Sequence, residues 1–323
     1  MEETRITRRQ QHDEVRAARL ILNKLTYAKF DLLYAQFVDV CERYARSDVH
    51  ALRRIVSEVF NTALAQPGFA GLYADLCCRL ARDVSHVFVV PAADRKEALD
   101  FECLMLRSCQ DEFVRTVLAA REDSNRNSSV VKDSCVVMKR GANTMGKSCT
   151  TDPTICLGCG SKSQRALDAI KAKRRILGNV RFIAELYSRG VVVREHCLRE
   201  VCISPLVKRI TAFSNGASSQ SKRRQPGEIY EQDIEVLCKL LTNAGRALDA
   251  WDIRNAAHGR QTSEYTNGVY LALAEARARS ALAPRLRFMI EDLFELRARN
   301  WAPRRAGSID PKIWSQQSCQ TAC

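Results

Sequence analysis

The sequence predicts an all-α protein made of stacked helix pairs, and three observations support this. Apolar residues recur at helical spacing along most of the 323-residue chain. Glycine and proline number only 14 and 8, which argues against an all-β chain with many tight turns. The predicted helix pairs begin about every 35–50 residues, a spacing typical of helical-repeat arrays in which neighbouring pairs share one core. No predicted strand alternates with a helix, so a doubly wound sheet is not supported.

Five helices are predicted in the N-terminal part of the chain. The first begins at Val15, and its apolar residues up to Leu25 share one face. Thr26 is a candidate N-cap for the second helix, and the Pro67–Gly68 pair ends the third. The apolar run at 86–94 has no partner run, so a loop is predicted there. The predicted helices cover residues 15–25, 27–44, 48–65, 69–84 and 96–121.

Five further helices are predicted in the C-terminal part. Gly190 lies where a C-terminal cap belongs, and Pro284 suits the first turn of the last helix. Pro205 is predicted to kink or split the helix that contains it, because proline lacks the N–H that a helix interior needs. These helices are predicted at residues 164–189, 194–212, 228–248, 263–281 and 284–300.

Polar segments divide the chain into one helical domain with insertions and extensions. The domain is predicted at residues 11–305, after a basic N-terminal extension at 1–10 and before a flexible tail at 306–323. Residues 122–163 and 213–227 are polar and lack a helical period, so they are predicted to be insertions between helices.

The charge and the cysteines indicate the kind of partner and the compartment. Lysine and arginine number 51 against 37 aspartates and glutamates, a net charge of +14, which favours an acidic partner such as RNA or DNA. No secretory signal or apolar membrane segment is recognised. Several of the 14 cysteines lie in apolar helical patterns, where free cysteine acts as a small buried hydrophobe. A reducing compartment, the cytosol or the nucleus, is therefore predicted.

Basic clusters are the most persistent functional signal, since phosphate groups attract them irrespective of base sequence. Few aromatic residues interleave with them, so stacking on single-stranded bases is not indicated. A cluster at Arg5 to Arg9 precedes the domain. The candidate RNA-binding residues are Lys171, Lys173, Arg174, Arg175, Lys222, Arg223, Arg224, Arg304 and Arg305.

Two short motifs would indicate other chemistry if their context fitted. Residues 141–148 match the phosphate-binding pattern G-x-x-x-x-G-K-[ST], which would make the chain a nucleotide-hydrolysing enzyme. No buried strand enters the motif and Pro153 follows closely, so a chance match is the favoured interpretation. Cys156 and Cys159 form a single C-x-x-C with no second pair to complete a zinc site. No catalytic constellation, metal site or cofactor is predicted, and the chain is not expected to be an enzyme.

Four separated blocks of sequence resemble the middle domain of eukaryotic translation initiation factor 4G, and they occur in that family's order. The ending Asn300-Trp-Ala-Pro-Arg-Arg305 is the most telling. The resemblance covers about residues 15–305. Its blocks are Ile21–Thr26 with Lys29–Asp31, Phe69–Leu80, Arg174–Leu186, and Leu237–Thr242 completed by Arg287–Met289 and Asn300–Arg305.

This resemblance implies a HEAT-type crescent of about five antiparallel helix pairs that acts as a cytoplasmic scaffold in translation initiation. Members of the family bind RNA and a DEAD-box RNA helicase of the initiation factor 4A type. The family's helicase-binding positions correspond to Leu22, Leu25 and Phe30 here. All three also share the apolar stripe of their helices, so a core role stays open for each of them.

The resemblance has departures that leave alternatives open. Tyr27 stands where the family has proline, so the first inter-helix turn is expected to differ. Residues 27–33 match the family's cap-binding-protein motif but lie within a predicted core helix, and whether a cap-binding protein is a partner stays open. Related middle domains occur in proteins of splicing, messenger decay and nuclear cap binding. A plain RNA-binding protein without a helicase partner is a further alternative.

Overall fold

The structure is a computed structural model, and it describes residues 13, 15–45, 51–83, 101–119, 159–190, 195–214, 226–257, 263–279 and 282–302. We number the helices in chain order. The helices are α1 (15–22), α2 (Phe30–Ala45), α3 (Ala51–Ala65), α4 (Ala70–Asp83), α5 (Phe101–Phe113), α6 (Cys159–Ser188), α7 (Glu195–Cys197, Leu198–Ile203 and Ser204–Ser214 in succession), α8 (Pro226–Ala257), α9 (Ser263–Ala278) and α10 (Pro284–Ala298).

These helices pack in two layers. In one layer α4, α6, α8 and α10 pack in succession, and in the other α3 packs on α5 and α7 packs on α9. Short turns join α1 to α2, α3 to α4 and α9 to α10, so the members of these pairs run antiparallel. One hydrophobic core runs from Ala18 to Leu293. The all-α helical-repeat prediction is confirmed, and no strand occurs in the described ranges; the count of about five pairs stays a prediction.

Helix ends follow the predicted signals in several places and depart from them in others. Gly190 adopts a positive φ of 72° and ends α6, and Pro284 lies in the first turn of α10. In α7 the Ser204 N–H donates to the Arg199 carbonyl in a π-helical bond, directly before Pro205. The helix predicted to be kinked or split at Pro205 thus changes from π-helix to α-helix directly before this residue. Thr26 precedes a short 3-10 turn (Tyr27–Lys29) without a side-chain cap.

Helix α6 approaches the end of α3 unusually closely. A Cβ atom on Gly178 would lie 2.8 Å from the backbone oxygen of Leu64, so only glycine allows this approach. The next residue, Asn179, is buried, and its Nδ2 donates to the Cys109 carbonyl of α5 at 3.1 Å. These adjacent residues fix α6 against both α3 and α5.

Directly after the last helix, the Trp301 side chain packs against α8. Asn300 and Trp301 both have positive φ, 51° and 64°, and the Trp301 N–H donates to the Leu296 carbonyl at 2.8 Å, so the helical path of α10 ends in a turn here. The Trp301 ring lies against Gly245 of α8, where a Cβ atom would clash with it. Its indole N–H donates to Asp249 at 2.9 Å. The end of the domain is therefore held to α8 by one aromatic side chain.

None of the helices in the described ranges is long and apolar enough to cross a membrane.

The approach of α6 to α3 gives a stability prediction. Gly178→Ala should lower the free energy of unfolding by about 1–2 kcal/mol, because the new methyl group meets backbone that cannot move aside easily. Gly268→Ala in α9 is the matched control, since its Cβ would meet nothing within 4 Å. The control should be neutral or stabilising, by up to about 1 kcal/mol. Urea unfolding of both variants measures the difference, and equal stabilities would contradict the packing argument.

Candidate protein- and RNA-binding surfaces

The turn between α1 and α2 places the three predicted helicase-binding residues differently. Leu22 and Leu25 are buried, with 1% and 6% of their surface exposed, and they belong to the core. Phe30 is only partly buried and packs against the edge of that core. Both leucines therefore have the core role that the sequence left open. Part of the Phe30 side chain, in contrast, is exposed and accessible to a partner. Helicase contact by the three residues stays a prediction.

Phe30 is held in place by a stack of rings and a cation. Its ring stacks on Tyr34 with centroids 6.2 Å apart and planes 9° apart. The Arg79 guanidinium lies 4.1 Å from the Tyr34 centroid and 5.9 Å from that of Phe30. Arg79 also forms ion pairs with Asp31 and Asp83. The side chain that the sequence identified is thus positioned by α4 as well as by its own helix.

Tyr34 ties this stack to the end of α4. Its hydroxyl donates to Asp83 at 2.9 Å. Burial raises the pKa of Tyr34 well above its ordinary value, and the hydrogen bond to Asp83 raises it further, so the phenol stays protonated at physiological pH.

Two further aromatic residues are exposed on neighbouring turns. Tyr27 is 40% exposed on the α1–α2 turn, and Phe69 is 52% exposed on the α3–α4 turn. The Tyr27 hydroxyl lies 3.4 Å from where a Gly71 Cβ would be, which places the two turns side by side. Together with Phe30 they form what we call the aromatic surface. The sequence analysis did not predict that Tyr27 and Phe69 are exposed. For Phe69, its position on the turn that begins with Pro67 and Gly68 could have indicated exposure.

Arg189 supports this surface from α6. Its guanidinium binds Asp75 at 2.6 Å, Glu185 at 2.8 Å and the Gly71 carbonyl at 2.9 Å. Burial alone would lower the pKa of Arg189, but the hydrogen bonds from Asp75 and Glu185 outweigh it and raise the pKa. The start of α4, which carries the α3–α4 turn, is therefore anchored to α6 by a permanently charged group.

The predicted basic cluster at 171–175 divides into two kinds of side chain. Lys173 Nζ lies 2.7 Å from Glu235 of α8, and Arg175 Nε lies 2.6 Å from Glu112 of α5. Lys171 and Arg174 are exposed, and neither forms an ion pair with another residue of the described ranges. Lys171 and Arg174 therefore have their full charge available for phosphate, while Lys173 and Arg175 also link helices. RNA contact by any of the four stays a prediction.

Buried carboxylates on this side of the molecule are each shared by two cations. Glu112 binds Arg175 and Arg115, and Glu235 binds Lys173 and Arg285. Burial alone would raise the pKa of each carboxyl group, but the hydrogen bonds from its two basic partners outweigh it, and both pKa values are lowered. Because each carboxylate neutralises only one charge, every trio keeps a net positive charge beside the exposed Lys171 and Arg174.

These contacts bring several helix ends to one edge of the array. Arg209, near the end of α7, binds Asp233 at the start of α8 at 2.8 Å. The Arg279 guanidinium, at the end of α9, donates to the Phe213 carbonyl at 3.5 Å. We call the resulting surface the basic edge; its cations are Arg115, Lys171, Lys173, Arg174, Arg175, Arg209, Arg279 and Arg285.

Several predicted features lie outside the described residues. Lys222, Arg223 and Arg224 belong to the segment between Ser214 and Pro226, whose two flanking helix ends lie at the basic edge. Arg304 and Arg305 follow Trp301, which packs on the later part of α8, away from that edge. The motif at 141–148, Cys156 and the cluster at Arg5 to Arg9 also lie outside the described residues.

The cysteines of the described core are unsuited to metal binding or catalysis. Burial raises the pKa of the Cys202 and Cys238 thiols to about 12, so both stay protonated. Cys41, Cys77 and Cys109 are buried and have raised pKa values for the same reason. Among the described residues, no group of three or more His, Cys, Asp or Glu side chains could hold a metal ion.

The Arg175–Glu112 pair gives a prediction with a pH signature. Arg175→Ala should lower the free energy of unfolding by about 1–2 kcal/mol at neutral pH, because the buried Glu112 loses a charged hydrogen-bond partner. The exposed Arg174→Ala should stay within about 0.5 kcal/mol of the unchanged chain. Urea unfolding at a series of pH values measures both effects.

The sign of the pH dependence follows from the lowered pKa of Glu112. Its ionised form stabilises the fold above the ordinary pKa of 4.5, and that contribution is lost as the pH falls through the folded-state value. The gap between Arg175→Ala and the unchanged chain should therefore be constant above about pH 5 and shrink in more acidic solution. A gap that does not depend on pH would assign the cost to lost packing instead.

Comparison with known proteins places this chain in a family. The profile of the MIF4G domain matches residues 15–300. The chain is 28% identical over 298 residues to eukaryotic translation initiation factor 4G of Cucumis melo, with 92% of this chain and 12% of that protein covered. It is 28% identical over 303 residues to translation initiation factor 4 gamma 2 of Homo sapiens, covering 92% and 27%. It is 28% identical over 306 residues to factor 4 gamma 1 of Mus musculus, covering 94% and 15%.

The chain thus spans between 12% and 27% of the length of these relatives. The matched residues run from α1 to the Asn300 turn after α10, so the match takes in every helix of the array. The chain belongs to the MIF4G domain family.

Proposed function

We propose that the chain acts as a non-enzymatic cytoplasmic scaffold in translation initiation, binding a DEAD-box RNA helicase of the initiation factor 4A type together with RNA and so supporting mRNA recruitment to the ribosome. The single observation that carries the proposal is the MIF4G match over residues 15–300. Relatives that cover this range are named as translation initiation factors. The two surfaces described above supply the chemistry for the two partners.

The aromatic surface is the proposed helicase contact. Phe30, Tyr27 and Phe69 present aromatic carbon on adjoining turns, and large aromatic groups at partly exposed sites are typical anchors of protein interfaces. The stack with Tyr34 and Arg79 orients Phe30 before a partner arrives. A side chain that is already oriented loses little conformational entropy on binding, which favours affinity.

The basic edge is the proposed RNA contact. Its cations come from several helices, and few aromatic residues interleave with the basic clusters in the sequence, so these cations suit phosphate groups better than bases. A helicase on the aromatic surface and RNA on the basic edge would be held by one rigid array. Such a scaffold acts by favouring one arrangement of its partners, which is a population shift and not a chemical step.

Phe30 provides the test of the helicase contact. Phe30→Ala should weaken binding to a purified helicase of the initiation factor 4A type about thirtyfold, because truncation of an interface anchor costs about 2 kcal/mol. Leu32→Ala is the matched control: Leu32 lies on the same helix, is 64% exposed and is not part of the aromatic surface. Isothermal titration calorimetry gives both affinities.

Thermal unfolding of the same proteins separates binding from folding. If Phe30 acts only in the core, Phe30→Ala lowers the melting temperature and leaves the affinity of the folded fraction unchanged. If Leu32→Ala weakens binding as much as Phe30→Ala, the contact lies elsewhere on α2. Either result would overturn the assignment of Phe30 as a helicase anchor.

Lys171 and Arg174 provide the test of the RNA contact. The double variant Lys171→Ala with Arg174→Ala should weaken RNA binding at every base sequence. It should also reduce the slope of log affinity against log salt by about 0.7 for each phosphate group that the chain no longer neutralises. The double variant Lys24→Ala with Lys29→Ala removes the same charge from the exposed α1–α2 turn and should change the slope less.

Fluorescence anisotropy with a labelled single-stranded RNA, titrated at several salt concentrations, measures these slopes. A slope near zero for the unchanged chain would mean that its basic groups only solvate the surface. Equal reductions of affinity in the two double variants would mean that the charge acts as a whole and that the basic edge is not a defined site.

A further inference from the structure

A groove of about 600 Å³ lies between α9 and α10 in the last helix pair. Tyr270, Leu271 and Ala274 line it from α9, and Phe294 and Ala298 line it from α10. Leu271 is 61% exposed at this site. The groove is open to solvent, and its size is sufficient for a few side chains to lie in it.

Arg297, the charged residue that lines the groove, is already paired with a carboxylate of the protein. Arg297 binds the Asp249 carboxylate through two hydrogen bonds of 3.0 and 3.1 Å, and its guanidinium lies 3.9 Å from the centroid of the Tyr270 ring. An anionic ligand would therefore compete with Asp249. The Tyr270 hydroxyl is buried and has no hydrogen-bond partner among the described residues. Because Arg297 is already paired and most of the other lining side chains are apolar, the groove favours an apolar or aromatic occupant over a charged one.

The groove lies in the last helix pair of the described residues. In a helical-repeat array each pair is covered by the next one, and a terminal pair ordinarily needs a polar outer face. Here α9 and α10 are the last helices of the described residues, and they expose Leu271 at the groove. Leu271 and the other apolar groove residues thus form a strip that a further apolar segment could cover.

The chain beyond α10 starts next to this groove. Trp301 binds Asp249, the same carboxylate that binds Arg297 of the groove. The positive φ values of Asn300 and Trp301 end the helical path of α10 at these two residues. The sequence that follows contains three large apolar residues close together, Ile309, Ile313 and Trp314.

Chain length allows these residues to reach the groove. The twelve residues from 303 to 314 can span about 40 Å when extended. The groove residues of α10, Phe294 and Ala298, lie within about 12 Å of Ala302 along the helix axis. A short tether gives an effective concentration in the millimolar range, so even a contact with a dissociation constant of about 100 µM would be mostly formed.

We propose that residues 309–314 of this chain bind in the groove between α9 and α10, with Ile313 and Trp314 packing on Leu271 and Phe294. The segment covers the apolar face of the terminal pair, in the way that the next repeat covers an internal one. The contact is intramolecular, so it does not depend on the helicase or on RNA.

The full chain labelled with 5-fluorotryptophan tests this proposal by fluorine NMR. The chain contains three tryptophans, and the disappearance of one signal in Trp314→Phe assigns the resonance of Trp314. We expect that resonance to be shifted from its position in a free peptide of residues 306–323. Leu271→Asp, which makes the groove polar, should return it to the free position.

Two control variants keep the outcome clear. Phe288→Asp changes a residue of α10 that is 65% exposed and does not line the groove, so it should leave the Trp314 shift in place. In the tail, Ile313→Asp should abolish the shift and Gln316→Asp should preserve it. Circular dichroism verifies that each variant is folded, and the tail pair serves as the test if Leu271→Asp unfolds.

Several results would overturn the proposal. A Trp314 resonance at the free position in the unchanged chain would mean that the segment does not dock. A shift that survives both Leu271→Asp and Ile313→Asp would place the tail elsewhere. A shift that fades on dilution would mean that the groove receives the tail of a second copy instead.

Discussion

Helix α6 is the element on which the rest of the structure depends. It approaches α3 through Gly178, whose missing side chain lets the backbones come close, and Asn179 joins it to α5. Arg175 and Arg189 then connect the two ends of the packed part of α6 to α5 and α4. Because α6 also packs along α8, it transmits the arrangement of the first helices to the last. Gly178, Arg175 and Arg189 thus help to set how the helices of both layers are arranged.

The two candidate surfaces are consequences of this packing. The aromatic surface needs the turns before α2 and α4 side by side, and Arg189 of α6 anchors the start of α4 at that point. The basic edge needs α5 and α8 to bring Glu112 and Glu235 to the same side as the cations of α6, and α10 adds the further cation Arg285 there. Surfaces built in this way keep their spacing only while the helices between them stay packed.

Much of the fold could be predicted because helical periodicity is a local property. The spacing of apolar residues indicated each helix, and Gly190 and Pro284 marked two ends where the backbone requires those residue types. The site was harder, because exposure depends on tertiary neighbours. The stripe containing Leu22 and Phe30 looks uniform in sequence, yet the first is buried and the second is not. Likewise nothing near Arg175 in the sequence shows that Glu112, 63 positions away, is its partner.

The packing of Trp301 against α8 has a mechanical consequence. A helix that simply ended at the surface would unravel from its last turn when the following chain is pulled. Here the indole ring sits against Gly245 and its N–H is bound to Asp249, so tension on the residues after Ala302 is carried sideways into α8. Load in that direction must shear a packed ring and a charged hydrogen bond together, instead of breaking helix bonds one at a time.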